Sequence, residues 1–313
     1  MTKSGKNNVL NPQRLDYDDE VIWGGSGGDR HSVTRMAHGR FWATNLHTAA
    51  NEQDVRISYW SDVDTDGIRI VNFRNPVIPE GSDPGSATMN VRFGDAMSID
   101  IDENGNGYIF NMGSRMLCVM RIPVTNFTEV NNDNITYIIP GTYPIPDPVP
   151  GTPTRAPISF QTYQKVDGST NEYLYTSNIE PVHLVNADGT LLYTMTSFSD
   201  HFDGCAARIV LFNGARYLVT MNDTGTGGEG IIAMYDITDG ATTLEALQNF
   251  DNRSAEDKEP AYTYSLEGTL LNAATIDGAC AVGINFAKDD NTLYIIGSAV
   301  DAGFAIIEFK AAQ

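Results

Sequence analysis

The stretch from Ala96 to Pro123, AMSIDIDENGNGYIFNMGSRMLCVMRIP, constrains the fold most, because the rest of the chain repeats its pattern. Met97, Ile99 and Ile101 alternate with polar neighbours, which gives a strand one apolar face. Asn104-Gly105-Asn106-Gly107 supplies residues that tolerate positive φ, as a tight hairpin requires, and Tyr108-Ile109-Phe110 opens a second strand. Met116–Met120 reads as a third strand and Ile135–Ile139 as a fourth.

Four other copies share this plan. The first has strands at Ser32–Ala37, Arg40–Leu46, Val55–Ser61 and Ile68–Phe73. After the Ala96 copy, a third runs from Ile158 through the Asp167-Gly168 turn to Glu172–Thr176, Pro181–Val185 and Leu191–Phe198. The fourth comprises Ala206–Phe212, a turn at Asn213-Gly214, Arg216–Asn222, Gly230–Ile237 and Leu244–Phe250. The fifth, from Ala281, turns at Asp289–Asn291, continues through Thr292–Ser298 and Phe304–Lys310, and is one strand short.

Four antiparallel strands repeated radially make a propeller blade, usually of about 40–50 residues. The expected fold is therefore all-β: a single β-propeller domain over residues 1–313, with five blades of four antiparallel strands. Six or seven blades fit if residues 74–95 or 255–279 hold another. The N-terminal segment, at Val9–Leu15 or Glu20–Trp23, is expected to supply the missing strand and close the ring, since an open ring leaves two unpaired sheet edges.

Composition narrows the partners. The 40 acidic residues against 20 basic ones give a net charge of -20, which repels nucleic acid and anionic lipid alike. No run of about 18 apolar residues is present to insert into a membrane, and the start MTKSGKNNVLN has no apolar signal core. Only 19% of residues are charged, and Gly, Tyr, Thr and Asn are abundant, a balance that fits an exported protein of the periplasm or cell surface whose signal has been removed. Cys118, Cys205 and Cys280 are odd in number and lie in or beside apolar strand patterns, so they read as buried thiols rather than a disulfide framework or metal cluster.

Length is concentrated in the links between copies, at Trp23–His31, Arg74–Asp95, Pro140–Pro157 and Asp251–Ala279. In a propeller these share one face with the second-to-third-strand loops, His47–Asp54, Asp223–Gly230 and Ala299–Gly303, and loops on a rigid scaffold are where binding concentrates. The other links are expected to be short hairpins.

Candidate ligand residues follow from that geometry. Arg30, His31 and Arg35, which follow a glycine-rich stretch, would stand at the mouth of the central channel, offering an anion or sugar site or ordinary ion pairs with Asp29 or Asp95, and Trp23 offers a sugar-stacking face. His201, Asp203 and Arg208 share that face, with no nucleophile elbow and no second carboxylate to define catalysis. Asn45, Asn111, Asn178, Asn222 and, in the fifth copy, Ser298 end second strands; they read either as loop caps or as a ring of amides facing a glycan. Tyr143 adds a sugar-stacking face, whereas Trp42 and Tyr163 stand in strands and read as core. His183 reads as a satisfied sheet residue.

Asp62, Asp64, Asp66 and Gly67 match the first half of a calcium loop, yet Phe73 stands where the bidentate Glu belongs, so a turn is the simpler reading. Asp100-Ile101-Asp102-Glu103-Asn104-Gly105 is a second half-match of the same kind. No metal, cofactor or catalytic residue is assigned.

The segments RHSVTRMAHGRFWATN, IDIDENGNGYIFNM and NEYLYTSNIEPVHLVNADGTLLYT resemble repeats of secreted β-propeller proteins of unknown function from Bacteroidetes, of the surface-lipoprotein type. The resemblance implies export and a role near polysaccharide uptake, and carries no catalytic residues. The expected function is a non-catalytic binding module for a glycan or a surface protein. The alternative is a glycoside hydrolase or lyase using acids such as Asp100, Asp203 or Asp277 around the funnel.

Overall fold

The computed structural model describes residues 16–17, 20–21, 31–37, 40–45, 47–48, 55–61, 68–73, 92–94, 96–112, 118–128, 130, 132–138, 160–177, 180–195, 206–222, 231–265, 280–286, 291–299 and 303–310. The chain divides into two compact units, Met1–Ile139 and Pro140–Gln313.

In the first unit β1 (Asp16–Tyr17) pairs with β2 (Glu20–Val21) in a two-stranded hairpin. Next come β3 (His31–Ala37), β4 (Arg40–Asn45), the short β5 (His47–Thr48), β6 (Val55–Trp60) and β7 (Ile68–Phe73). Strands β3-β4-β6-β7 form one antiparallel sheet in chain order. The short β8 (Arg92–Phe93) pairs with β5, so the link after β7 and the loop after β4 meet, as the repeat plan requires. A second sheet, in the order β12-β11-β10-β9, consists of β9 (Ala96–Ile101), β10 (Gly107–Met112), β11 (Val119–Val124) and β12 (Thr136–Ile138). Its third strand shares Val119 and Met120 with the expected Met116–Met120 and runs on to Val124, while Met116 and Leu117 lie outside the described residues.

The second unit holds three sheets. The first is β13 (Phe160–Lys165), β14 (Glu172–Ser177), β15 (Glu180–Asn186) and β16 (Leu191–Thr194). The next is β17 (Ala206–Phe212), β18 (Ala215–Asn222), β19 (Ile231–Asp236) and β20 (Tyr262–Ser265). The last is three-stranded, β21 (Cys280–Phe286), β22 (Thr292–Ala299) and β23 (Gly303–Lys310). Glu20–Val21, one of the two segments expected to complete it, pairs instead with Asp16–Tyr17; the other, Val9–Leu15, lies outside the described residues.

Within each unit the sheets pack face to face. Trp42, Ile57 and Tyr59 meet Met97, Ile109 and Met120 in the first unit. In the second, Leu174 and Leu184 meet Ile209, Leu218 and Tyr235, while Val219, Met221 and Ile232 meet Leu293, Ile295 and Ile307. Burying each large aliphatic chain contributes about 1.5–3 kcal/mol, which is why strands covered on both faces read as near-continuous apolar runs.

Three of these interfaces contain, or in one case exclude, a polar side chain on the second strand. Asn111 and Thr44 are both buried, and the Asn111 amide Nδ2 donates to Thr44 Oγ1 at 2.8 Å across the sheets. Thr176 and Thr220 are equally buried, yet neither Oγ1 has a hydrogen-bond partner. At Gly297 the position has no side chain, because a Cβ would lie 2.4 Å from Ile232 Cδ1 and 2.8 Å from Met221 Sδ.

The expected strand Leu244–Phe250 is instead the helix α1 (Thr243–Asp251), inserted between β19 and β20. A strand there would bury Leu244, Ala246, Gln248 and Phe250 on one face, Gln included. The helix buries Thr243, Ala246, Leu247 and Phe250, spaced i, i+3, i+4, i+7, and leaves Glu245 exposed. A capping box starts it: Glu245 N donates to Thr242 Oγ1 at 3.1 Å, and Glu245 Oε2 accepts from Thr242 N at 3.3 Å. Tyr193 Oη then donates to Asp251 Oδ2 at 2.8 Å, with Lys258 Nζ 3.8 Å from Oδ1, which fastens the insert to β16 of the preceding sheet. The third-to-fourth-strand link of this sheet is therefore long, not the short hairpin expected, and the region 251–265 is part of the sheet and its insert, not a link to the next copy.

Two stability predictions follow from these contacts. Thr44→Val leaves a buried amide donor unpaired and is expected to cost about 1–3 kcal/mol in urea unfolding, whereas Thr220→Val, which loses only an unpartnered hydroxyl, is expected to leave stability equal or higher. Thr242→Ala is expected to cost about 1 kcal/mol, read in the same assay with loss of helical ellipticity.

Candidate functional site

The first strands of consecutive sheets are neighbours within each unit: β3 lies beside β9, and β13, β17 and β21 lie beside one another. Between β13 and β17 opens a cleft of about 360 Å³, whose wall combines Gln164, Lys165 and the Val166–Ser169 turn with Arg208, Ile209 and Val210.

Local sequence builds this wall. Lys165 ends β13, and Val166 N donates to Glu172 O at 2.9 Å to close the hairpin. Gly168 takes φ +75, a conformation that favours glycine, and sits under Leu211, whose Cδ1 would be 2.6 Å from an added Cβ. Ser169 Oγ donates to Glu172 O at 3.0 Å and accepts from Glu172 N at 3.2 Å.

Asp167 then joins the two sheets. Its N–H donates to Ile209 O at 3.3 Å, and its Oδ2 accepts from Leu211 N at 2.9 Å. The hairpin tip of one sheet is thereby bonded to the first strand of the next, and the cleft has a backbone-fixed rim. Val166 and Ile209 are buried in the core between the two sheets and Val210 in the core on the other face of β17, while Gln164, Lys165 and Arg208 are partly exposed.

Of the residues singled out in the sequence, Arg208 lines this cleft, on β17. Its companions Gln164, Lys165, Asp167 and Ser169 were not singled out as ligands; Asp167-Gly168 was legible as a turn, but its approach to the next sheet was not. Asn45 and Asn111 are buried, so neither amide reaches a surface ligand. Asn45 Oδ1 accepts from Arg56 N at 2.8 Å, which caps the connection from β4 to β6. His31 and Arg35 lie on β3 and Asn222 ends β18, while Trp23, Arg30, Asn178, His201 and Asp203 lie outside the described residues. Tyr143 and the Asp62–Gly67 stretch lie outside them too.

The second calcium half-match folds as a turn. Asp102 Oδ1 accepts from Asn104 N and Asn106 N, each at 2.9 Å, and these bonds, led by that from the Asn106 backbone, hold its pKa below the usual carboxylate value. Among the described residues no three His, Cys, Asp or Glu side chains gather to hold a metal.

His183 is buried in β15, stacked on Tyr175 at 4.3 Å, with Nδ1 2.9 Å from Thr194 Oγ1. Burial lowers its pKa to about 4. Burial, aided by the hydrogen bond to Asp251, also raises Tyr193 to about 12. Because unfolded histidine titrates near about 6.5, the unfolded chain takes up the proton first as pH falls. The stability His183 contributes is present above about pH 6.5 and is lost as pH falls toward about 4, by about 3 kcal/mol in all. His183→Gln is expected to flatten the pH dependence of unfolding free energy in that window.

A family profile described as a domain of unknown function, DUF4623, matches residues 30–312, and the chain belongs to that family. Its structure is similar to the crystal structure of a DUF4623 family protein from Bacteroides eggerthii, with a TM-score of 0.70 and 24% identity over 93% of this chain. The match covers 60% of that protein, so the present chain spans about three fifths of its length. Weaker similarity links it to an exo-β-1,3-galactanase from Clostridium thermocellum, with a TM-score of 0.47 and 13% identity over 95% of this chain and 61% of the other. An endo-arabinase from Bacteroides thetaiotaomicron matches with a TM-score of 0.43 and 11% identity over 90% of this chain and 94% of the other. No curated protein matches the chain. None of the helices among the described residues is long and apolar enough to cross a membrane.

Proposed function

We propose that this chain is a non-catalytic glycan-binding module of an exported protein, built as a five-bladed propeller that takes its ligand where first strands of neighbouring blades meet. The observation that carries this reading is the cleft between β13 and β17, lined by the partly exposed polar residues Gln164, Lys165, Ser169 and Arg208. Sugars are bound by such groups, since their hydroxyls need directed hydrogen-bonding partners. Among the described residues the cleft wall holds one carboxylate, Asp167, which accepts from Leu211 N, whereas the hydrolytic alternative requires two. Asp100, one acid of that alternative, lies on β9 opposite Tyr108; Asp203 and Asp277 lie outside the described residues.

The propeller reading is supported by first strands that adjoin in both units and by sheets whose strands follow chain order. In this reading the three-stranded sheet takes a further strand along its edge strand β23, which closes the ring. An uncovered edge of eight residues invites pairing with another chain.

A glycan array with the full chain tests the function, with Gln164→Ala as the variant. Binding by the native chain that falls by roughly tenfold or more in Gln164→Ala, with little change in the melting temperature, is the expected result. A folded chain that binds no saccharide overturns the reading.

A further inference from the structure

We infer that Phe127 is a clasp that holds the two four-stranded sheets of the first unit together at their hairpin ends, and that the sheets part locally there when its ring is withdrawn. After β11, Thr125–Thr128 form a tight turn closed by Thr128 N, which donates to Thr125 O at 3.0 Å. Both central residues take positive φ, 51 at Asn126 and 54 at Phe127. Such turns favour Asn followed by Gly, because a bulky side chain is strained in the left-handed region. The chain uses that favoured pair at Asn213-Gly214, with φ of 52 and 76. A phenylalanine at the glycine position strains the turn, and strain of this kind persists only where the surroundings hold the residue in place.

The contacts of the ring show what holds it. Phe127 lies in the link between β11 and β12, yet its ring reaches the neighbouring sheet, stacking on Tyr59 of β6 with centroids 4.7 Å apart and standing 6.0 Å from Trp42 of β4. The guanidinium carbon of Arg40, at the start of β4, lies 4.6 Å from the Phe127 centroid. Within its own sheet the turn is bound to the β9–β10 hairpin: Phe127 N donates to Gly105 O at 3.3 Å, and Asn126 N to Asn106 Oδ1 at 3.2 Å. A Cβ at Gly105 would run into the Phe127 ring, so ring and hairpin are in close contact. Three residues on, Val130 N donates to Ile70 O of β7 at 2.8 Å. The link therefore engages three strands of the neighbouring sheet. Trp42 Nε1 is buried without a hydrogen-bond partner among the described residues, a second cost of the closed seam that access to water would remove. The far end of the same interface is held separately, by the bond from Asn111 Nδ2 to Thr44 Oγ1.

The test is native-state amide hydrogen exchange of the full chain, read residue by residue by NMR, in Phe127→Gly. That variant creates the favoured Asn-Gly turn, so a residue needed only for the turn would leave exchange equal or slower. The expected result is the opposite: exchange faster by about tenfold or more at Trp42, Tyr59 and Gly105, with native rates at Thr44 and Asn111. Phe127→Tyr, which keeps the ring, is expected to exchange like the native chain. Phe127→Leu keeps apolar bulk for folding and is expected to speed exchange at the same three residues by a smaller factor. Unchanged or slower exchange there in both Phe127→Gly and Phe127→Leu overturns the clasp. Equal acceleration at both ends of the interface overturns it too, since that is the mark of lost global stability.

Discussion

Face-to-face packing of small sheets is the constraint on which the rest of this structure depends. A four-stranded sheet is too small to be stable alone, so it has to bury its faces against its neighbours. That requirement sets the composition of the second strands, where Trp42, Ile109, Leu174, Leu218 and Ile295 fill the interfaces. It also explains how polar groups are admitted. Asn111 is tolerated because Thr44 receives its amide, and Gly297 stands where Ile232 and Met221 already fill the space.

Backbone hydrogen bonding between sheets adds direction to this packing. Asp167 bonds to β17 with both its N–H and its carboxylate, and Val130 N donates to Ile70 O at 2.8 Å in the other unit. Such bonds tie a hairpin or link of one sheet to a strand of its neighbour. The cleft beside Asp167 is consequently walled largely by strands and one tight turn, and its partly exposed polar side chains are held on rigid elements. A site of this kind does not require long loops, although the loop lengths in the sequence drew attention to the opposite end of the strands.

Much of the secondary structure was legible because turn chemistry is local. Asn213 and Gly214 take φ of 52 and 76, the two positive values that an Asn-Gly hairpin turn needs, and Gly168 takes a positive φ in the Asp167-Gly168 turn. Register was less legible: the apolar run before Pro123 allowed the third strand to be placed at Met116–Met120, while pairing with β10 places it at Val119–Val124. The helix α1 was missed although Thr242 and Glu245 spell a capping box, because Leu-Glu-Ala-Leu alternates well enough to pass for a strand. Its identity is settled by which residues are covered, and Gly240 at φ +143, packed against Ala246 N, marks the approach.

By itself the sequence determined most of the strands, the Asn-Gly and Asp-Gly turns and the antiparallel plan of the sheets, though not the helix inserted before β20, since alternation and positive-φ residues act over a few neighbours. Only the tertiary structure decided which polar residues are interior and which line a cleft. Asn45 and Asn111 read either as loop caps or as glycan-facing amides and are buried, Asn45 capping the β4–β6 connection, while Lys165 and Gln164 read as ordinary strand residues and line a cleft with Arg208. The physical reason is that a residue's environment in a sheet protein depends on the next sheet, whose residues lie tens of positions away in the chain and leave no local mark.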